Sequence, residues 1–306
     1  MSRVLITGAC GYLGSQLLRD FALQLPDYQI RVLDNMQNHG HRALMNLEQG
    51  TVEFIEGDIL DSQIVDYALE DVDIVVHLAA IVTTPMNFEH PNWVQQVNHW
   101  ASSRLAEVCS KRGIKFIYPS STSVYGPGGP FAETDSCKPI GPYASSKRNA
   151  ERDLIRAGER GLEYMVLRMG SLFGLAPVMR FDGVANRLAY MAGIGRALTI
   201  YGSGEQRRPV VHVRDASKAV IKAVNNFKPA KTYNVVSDNP SVLEIANMIL
   251  SLRANAKMFF TEQDIMNHLS FTANSSEFKK SGWKPEVDLV EGLEEIIDSF
   301  AGVQSY

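Results

Sequence analysis

Cysteine is scarce: Cys10, Cys109 and Cys137 are the three in 306 residues. An odd set with no metal-like spacing excludes a disulfide framework and a cysteine-held metal, and reads as reduced thiols. No metal is expected. Long apolar runs are missing as well. No stretch approaches the roughly 20 apolar residues of a membrane helix, and the run at Val4-Leu5-Ile6 is too short for a signal peptide. A cytoplasmic location with no membrane partner is therefore expected. Excess charge of one sign is also lacking. Thirty basic against 34 acidic residues leave a net charge of −4, which gives no electrostatic footprint for nucleic acid. Internal repeats and low-complexity segments are absent. With 45% hydrophobic and 21% charged residues, the chain has the composition of a packed globular protein. Its length suits a doubly wound domain with a smaller companion.

What is present begins at the N-terminus. Val4-Leu5-Ile6 has the character of a buried strand, Thr7-Gly8-Ala9-Cys10-Gly11-Tyr12-Leu13-Gly14 follows, and Ser15 to Phe21 has helical spacing. In a strand–turn–helix unit, Gly8 allows the tight turn and Gly11 lets backbone N–H groups approach a pyrophosphate. Gly14 lets the helix pack on the strand, and the helix N-terminus favours the anion. The next strand, Gln29 to Leu33, ends in Asp34, 20 residues beyond Gly14. A carboxylate there accepts hydrogen bonds from ribose hydroxyls and repels a 2′-phosphate, which favours NAD over NADP. Asp58 closes a third strand, where it meets an adenine or caps a helix. Val72 to Ala80 is a fourth strand, apolar enough to be buried on both faces. His77 within it reads as a core histidine, and Ala79 and Ala80 are small where backbone meets ligand. A long helix from Asn92 to Lys111 contains Asn98. Ile114 to Tyr118 is a fifth strand, and Ser120-Ser121-Thr122-Ser123 puts a run of hydroxyls at its carboxyl end, where ligands of open α/β sheets sit. Pro142 starts a helix on which Tyr143 and Lys147 are i and i+4 and face the same way. A fixed cation beside a phenol favours the phenolate, which makes Tyr143 a candidate general base. After Arg168 the composition shifts. The expected fold is α/β, a Rossmann-type doubly wound parallel sheet with a smaller, interleaved C-terminal unit. The expected boundaries are 1–168 with about 209–231 for the first, and about 169–208 with 232–306 for the second.

Taken together, these motifs resemble the extended short-chain dehydrogenase/reductase family in its nucleotide-sugar epimerase/dehydratase branch. Further carriers are Leu167-Arg168, Arg208-Pro209-Val210-Val211-His212-Val213-Arg214-Asp215 and Gly282-Trp283-Lys284-Pro285. The resemblance implies an NAD site formed by Gly8, Gly11, Tyr12, Leu13, Gly14, Asp34, Asn35, Asp58, Ile59, Leu78, Ala79, Ala80, Asn98, Tyr143 and Lys147. It implies a catalytic set of Ser121, Tyr143 and Lys147. Ser121 holds the sugar hydroxyl, Tyr143 takes its proton, and Lys147 tunes Tyr143 and binds the nicotinamide ribose. Substrate contacts are expected from Thr83, Ser123, Ser171, Arg180, Asn186, Tyr201, Arg208 and Ser270. Arg208 would pair with the diphosphate of a UDP- or dTDP-linked sugar, and Ser270 would stand at the gate that sizes the sugar. Ser171 replaces a phosphate-binding asparagine of the epimerases, with Arg180 as the substitute. Helices like 92–111 and 143–160 form homodimers in this branch. The triplet Ser121-Thr122-Ser123 lacks the carboxylates of the 4,6-dehydratases, so a 4-epimerase acting by transient C4 oxidation is expected. The alternatives are an NAD(P)H-dependent 4-ketosugar reductase, a dehydratase with a distant carboxylate such as Glu89, and a non-catalytic NAD(H) sensor.

Overall fold

The computed structural model describes residues 2–82, 89–262 and 269–303. Its centre is a seven-stranded parallel sheet. The strands are β1 (Ser2–Thr7), β2 (Tyr28–Asp34), β3 (Val52–Glu56), β4 (Ile74–His77), β5 (Lys115–Ser121), β7 (Tyr164–Met169) and β11 (Lys231–Val235), in the order β11-β7-β5-β4-β1-β2-β3. Alternation along each strand loads both faces of the sheet. Val4, Ile6, Val32, Val76 and Leu167 point into one core, which they share with the helices Tyr12–Gln24 and Val213–Asn225. Leu5, Leu33, Val75 and Val166 point into the other, covered by Ser62–Ala68, Ser102–Arg112 and Pro142–Gly158. Both faces being covered, polar groups gather at the carboxyl edge of the sheet.

A third core lies outside the sheet. Leu188, Ala189, Ile245, Ile249, Leu293 and Ile296 join the helices Val184–Gly193, Val242–Leu252 and Leu289–Ser299. Three two-stranded parallel sheets flank it: β8 (Ser171–Phe173) with β10 (Val210–His212), β9 (Leu198–Tyr201) with β12 (Met258–Thr261), and β6 (Gly128–Phe131) with β13 (Phe271–Ala273). Residues 232–235, expected in the smaller unit, form the outer strand of the main sheet instead. Tyr233 and Val235 add to the same core as Met165 and Leu167, and the strand pairs in register with β7.

The helix expected over 92–111 starts at Pro91 and ends at Arg112, with a wider π-turn at Gln96–Ala101. That turn carries Asn98, whose side-chain amide accepts from Ile81 N (2.7 Å) and donates to Ile81 O (2.8 Å). Ser102, just beyond, donates to Asn98 O (2.9 Å), so its oxygen is left to accept from His77 Nε2 (2.8 Å). The other ring nitrogen of His77 then accepts from Thr7 Oγ1 (2.7 Å). His77 is fully buried and its pKa is pushed down to about 3, first by burial and then by the charge of Lys147. His212 accepts from Arg214 N (3.2 Å) at the start of its helix, and burial, with Arg214 behind it, pushes its pKa down to about 3 as well.

Both imidazoles are neutral in the folded protein and titrate near 6.5 once released. Their stabilisation is complete above pH 6.5 and is lost as pH falls toward 3, each contributing up to about 1.4 kcal/mol per pH unit over that window. The urea midpoint is expected to fall steadily between pH 6.5 and 4.5, and His77→Gln to flatten that slope. An unaltered slope in the variant would rule out His77 as a source.

Candidate active site

The turn after β1 is built for close approach. Gly8 has φ of +71°, and a Cβ there would lie 2.4 Å from Ala79 N. The helix Tyr12–Gln24 begins at Gly11 with no side-chain cap and no acidic residue in its first turn. Its first N–H groups are therefore left to an external acceptor. Gly14 rests on Ala9, where a Cβ would come within 2.5 Å of backbone. The carboxylate of Asp34 closes the far side of the turn, accepting from Cys10 N and Met36 N at 2.9 Å each. Each oxygen keeps a lone pair for a ribose hydroxyl. Burial pushes the Asp34 pKa up, and those two N–H groups oppose the shift. At the ends of β2 and β3, Asn35 Nδ2 donates to Asp58 Oδ2 (2.9 Å), and Asp58 Oδ1 accepts from Leu60 N (2.8 Å) beside buried Ile59. Leu78, Ala79 and Ala80 form the wall facing the turn, with Leu78 N tied to Thr7 O (2.9 Å). An uncapped helix start, a bare glycine turn and a half-buried carboxylate fit a dinucleotide.

Across the sheet edge, Ser121 ends β5 and Tyr143 opens the helix Pro142–Gly158. Ser121 acts on the Tyr143 phenol, lowering its pKa, and Ser121 Oγ accepts from Ser123 Oγ (2.9 Å) and Ser123 N (3.2 Å). Lys147, one turn on, is buried. Its Nζ donates to Pro119 O (3.0 Å) and lies 4.6 Å from the ring centre of Tyr118. Burial lowers the Lys147 pKa to about 8, and Glu151 acts to raise it.

The expected pairing of Lys147 with Tyr143 is modified by this geometry. The ammonium is turned onto β5, and the cation that draws the phenol down is Arg180. Burial raises the Tyr143 pKa, Arg180 and Ser121 lower it, and Asp182 raises it. Arg180 reaches this place from the segment after β8. Its Nη2 donates to Asp182 Oδ2 (2.9 Å) and Val82 O (3.4 Å), and its Nε to Asp182 Oδ1. Sequence spacing carries no signal for that contact, because the loop conformation creates it.

Two expected ligand contacts are internal struts instead. The Asn98 amide is engaged by Ile81 and by Ser146 Oγ (3.3 Å), so it shapes the cofactor wall from behind. Asn186 is buried. It accepts from Gly174 N (3.0 Å) and donates to Tyr12 Oη (3.0 Å) and Arg180 O (2.8 Å), which engages both hydrogens of its amide nitrogen. Tyr12 Oη itself donates to Gly174 O. On the other rim, Arg207 is held by Glu244 (2.8 Å) and Asn239 O (2.9 Å). Arg208 stacks over Phe271 at 5.8 Å, and burial lowers its pKa to about 10. Ser270 Oγ accepts from Arg207 N (3.0 Å), so the expected gate residue stands beside the arginine pair. Tyr201 carries Arg187 on its ring at 4.9 Å, and Ser171 is exposed at the start of β8. Thr83 lies outside the described residues. No metal-holding group of His, Cys, Asp or Glu occurs among the described residues.

The sequence model of the NAD dependent epimerase/dehydratase family matches residues 4–236, which span the glycine turn, Asp34, Ser121, Tyr143 and Lys147. The chain belongs to this family. It is an enzyme of the nucleotide-sugar epimerase/dehydratase class, and the family's cofactor is NAD. A dTDP-D-glucose 4,6-dehydratase of Mus musculus is 28% identical over 97% of this chain and 88% of its own length. The Thermus thermophilus UDP-glucose 4-epimerase solved with NAD is 26% identical with a TM-score of 0.84, covering 98% of this chain and 99% of that one. The Bacillus cereus UDP-glucuronic acid 4-epimerase solved with NAD is 26% identical with a TM-score of 0.85, covering 97% and 98%. No helix among the described residues is long and apolar enough to cross a membrane.

Arg180→Met is expected to raise the Tyr143 pKa and Asp182→Asn to lower it, by removal of charges of opposite sign. Phenolate difference absorbance against Tyr143→Phe measures both. A Tyr143 titration that ignores both substitutions would remove Arg180 and Asp182 from the site.

Proposed function

We propose that this enzyme is an NAD-dependent nucleotide-sugar 4-epimerase acting on a UDP- or dTDP-linked hexose. The observation that carries the reading is the hydroxyl run beside Tyr143. Thr122 Oγ1 is buried and donates to Met169 O (3.2 Å), Ser123 donates to Ser121, and residues 121–123 contain no carboxylate. Elimination of water needs an acid and a base next to the sugar. Asp182, the carboxylate that acts on Tyr143, is held by Arg180 through both oxygens. Glu89 lines an open hollow with Gln37, His90 and Trp93. Oxidation and re-reduction at one carbon need none of these groups.

Ser121 holds the C4 hydroxyl of the sugar, and Tyr143 removes its proton. NAD, when bound, would supply the hydride acceptor and donor for C4. The Gly8–Gly14 turn and the uncapped helix hold the pyrophosphate, and Asp34 holds the adenosine ribose. Lys147 would hold the nicotinamide ribose, as the family resemblance implies. Arg208 serves the substrate diphosphate, a role its fixed charge suits. After oxidation the keto sugar turns over and receives the hydride on its opposite face, and Tyr143 returns the proton. The unit built on the main sheet holds the cofactor, and the segments around the third core hold the sugar nucleotide. The Thermus thermophilus and Bacillus cereus 4-epimerases to which the chain is similar support this reading, and the mouse 4,6-dehydratase supports a dehydratase as the second. We also assign a homodimer to the helices 91–112 and 142–158. They are tied to each other by His99–Asp153 and Ser103–Asp153 (2.8 Å each), and they leave Trp100 59% and Ile155 40% exposed.

The test is incubation of the purified protein with UDP-glucose, UDP-glucuronic acid and dTDP-glucose without added cofactor, followed by chromatography of the products. The C4 epimer is expected, with no net NADH consumed. A product lighter by one water would establish the dehydratase, and stoichiometric NADH oxidation with a keto sugar would establish the reductase. Tyr143→Phe should lower turnover on the order of 100- to 10,000-fold with bound NAD retained. Light scattering should give a dimer that Trp100→Glu with Ile155→Glu converts to monomer. A wild-type monomer would refute the assembly.

A further inference from the structure

The mechanism above makes no use of Glu151, a buried carboxylate that accepts four hydrogen bonds. Glu151 is 1% exposed, on the helix that carries Tyr143 and Lys147. The three residues are i, i+4 and i+8, so they form one row along that helix. Glu151 Oε1 accepts from Ser120 Oγ (2.6 Å) and Arg168 Nε (3.1 Å). Its Oε2 accepts from Arg168 Nη2 (2.9 Å) and Arg148 Nη1 (2.8 Å). Four donors match the four lone-pair directions of a carboxylate. Ser120 is the residue before Ser121, and Arg168 lies on the neighbouring strand β7. Arg168 is itself fixed by Tyr125 Oη (2.8 Å) and Glu133 O (3.2 Å).

We infer that Glu151 is a positioning residue of the active centre: its carboxylate clips the Tyr143–Lys147 helix to the ends of β5 and β7 and sets an anion one helical turn from Lys147. This rests on the reading of Tyr143 and Lys147 as the working pair. Two clips hold the same loop, one from Lys147 to Pro119 O and one from Glu151 to Ser120. Together they present Ser121 to Tyr143. The groups facing Lys147 are few. From β5 come the Pro119 carbonyl and the Tyr118 ring, from β4 comes neutral His77, and from its own helix come Tyr143 and Glu151. Glu151 is the anion in that set that raises the Lys147 pKa against the burial that lowers it to about 8. Arg148 and Arg168 share its charge, so removing the carboxylate leaves two cations behind it.

The experiment follows Lys147 itself. Protein labelled at lysine Cε is titrated by NMR, with the Lys147 resonance assigned through Lys147→Arg. Glu151→Gln keeps the shape and an acceptor for Ser120 but removes the charge, and the Lys147 midpoint should move below about 8. Turnover in Glu151→Gln should fall on the order of tenfold at pH 8 relative to pH 6.5. Glu151→Asp should restore the midpoint. Ser120→Ala should lower kcat and leave the midpoint in place. If Glu151→Gln does not fold, Arg148→Gln decides, because loss of that neighbouring cation should move the midpoint upward. A Lys147 midpoint unmoved by Glu151→Gln, or by Arg148→Gln in its stead, would overturn the inference and reduce Glu151 to a structural brace. Because the titration needs no substrate, a failure of the epimerase reading leaves this result readable.

Discussion

The candidate site depends on how closely β1 and β4 approach at their carboxyl ends. Thr7 pairs with His77 across the two strands, and the chain then passes from Gly8 to within contact of Ala79. Any side chain at position 8 would have to push the two backbones apart. The gap they leave between the turn and the Leu78–Ala80 wall is where a flat, extended cofactor can lie over the sheet edge. The neutral imidazole of His77 holds this arrangement from inside. It joins Thr7 on β1 to Ser102 on the covering helix, and through Ser102 to the π-turn that shapes Ile81. A charged ring at that place would take away the acceptor of the Thr7 hydroxyl hydrogen.

Much of this was legible from residue order because the signals are local. The turn from Gly8 to Gly14, the strand ending in Asp34 and the i, i+4 pair Tyr143 and Lys147 each lie within a few residues or at a spacing fixed by helix geometry. The parallel, doubly wound character of the sheet followed from alternating strands and helices. What escaped was long-range. Asn98 and Asn186 have the residue type of ligand contacts, and only the fold shows their amides closed on backbone. The strand at 231–235 was expected with the smaller unit because composition shifts after Arg168, whereas pairing with β7 is a property of the sheet. Glu151 was invisible as a partner of Ser120 because 31 residues separate them along the chain.

Electrostatically, the centre divides its cations between two tasks. Lys147 is buried, points at β5 and depends on Glu151, whereas Arg180 is partly exposed and reaches Tyr143 from a loop of the smaller unit. One cation is built into the scaffold and the other arrives with the segment after β8, so the phenol is tuned from that segment.

The bonds that fix Asn186 carry a mechanical consequence. Tyr12 Oη meets Gly174 O and Asn186, and Val178 N donates to Ser15 Oγ (3.1 Å), so the first turn of the nucleotide helix is riveted to the segment that leads to Arg180. At about 0.5–1.5 kcal/mol per hydrogen bond, separating the two as rigid halves about a hinge would cost several kcal/mol before any apolar surface is exposed. The segments on either side of that seam are expected to melt in one cooperative transition, because two buried hydrogen bonds and one partly buried one cross it.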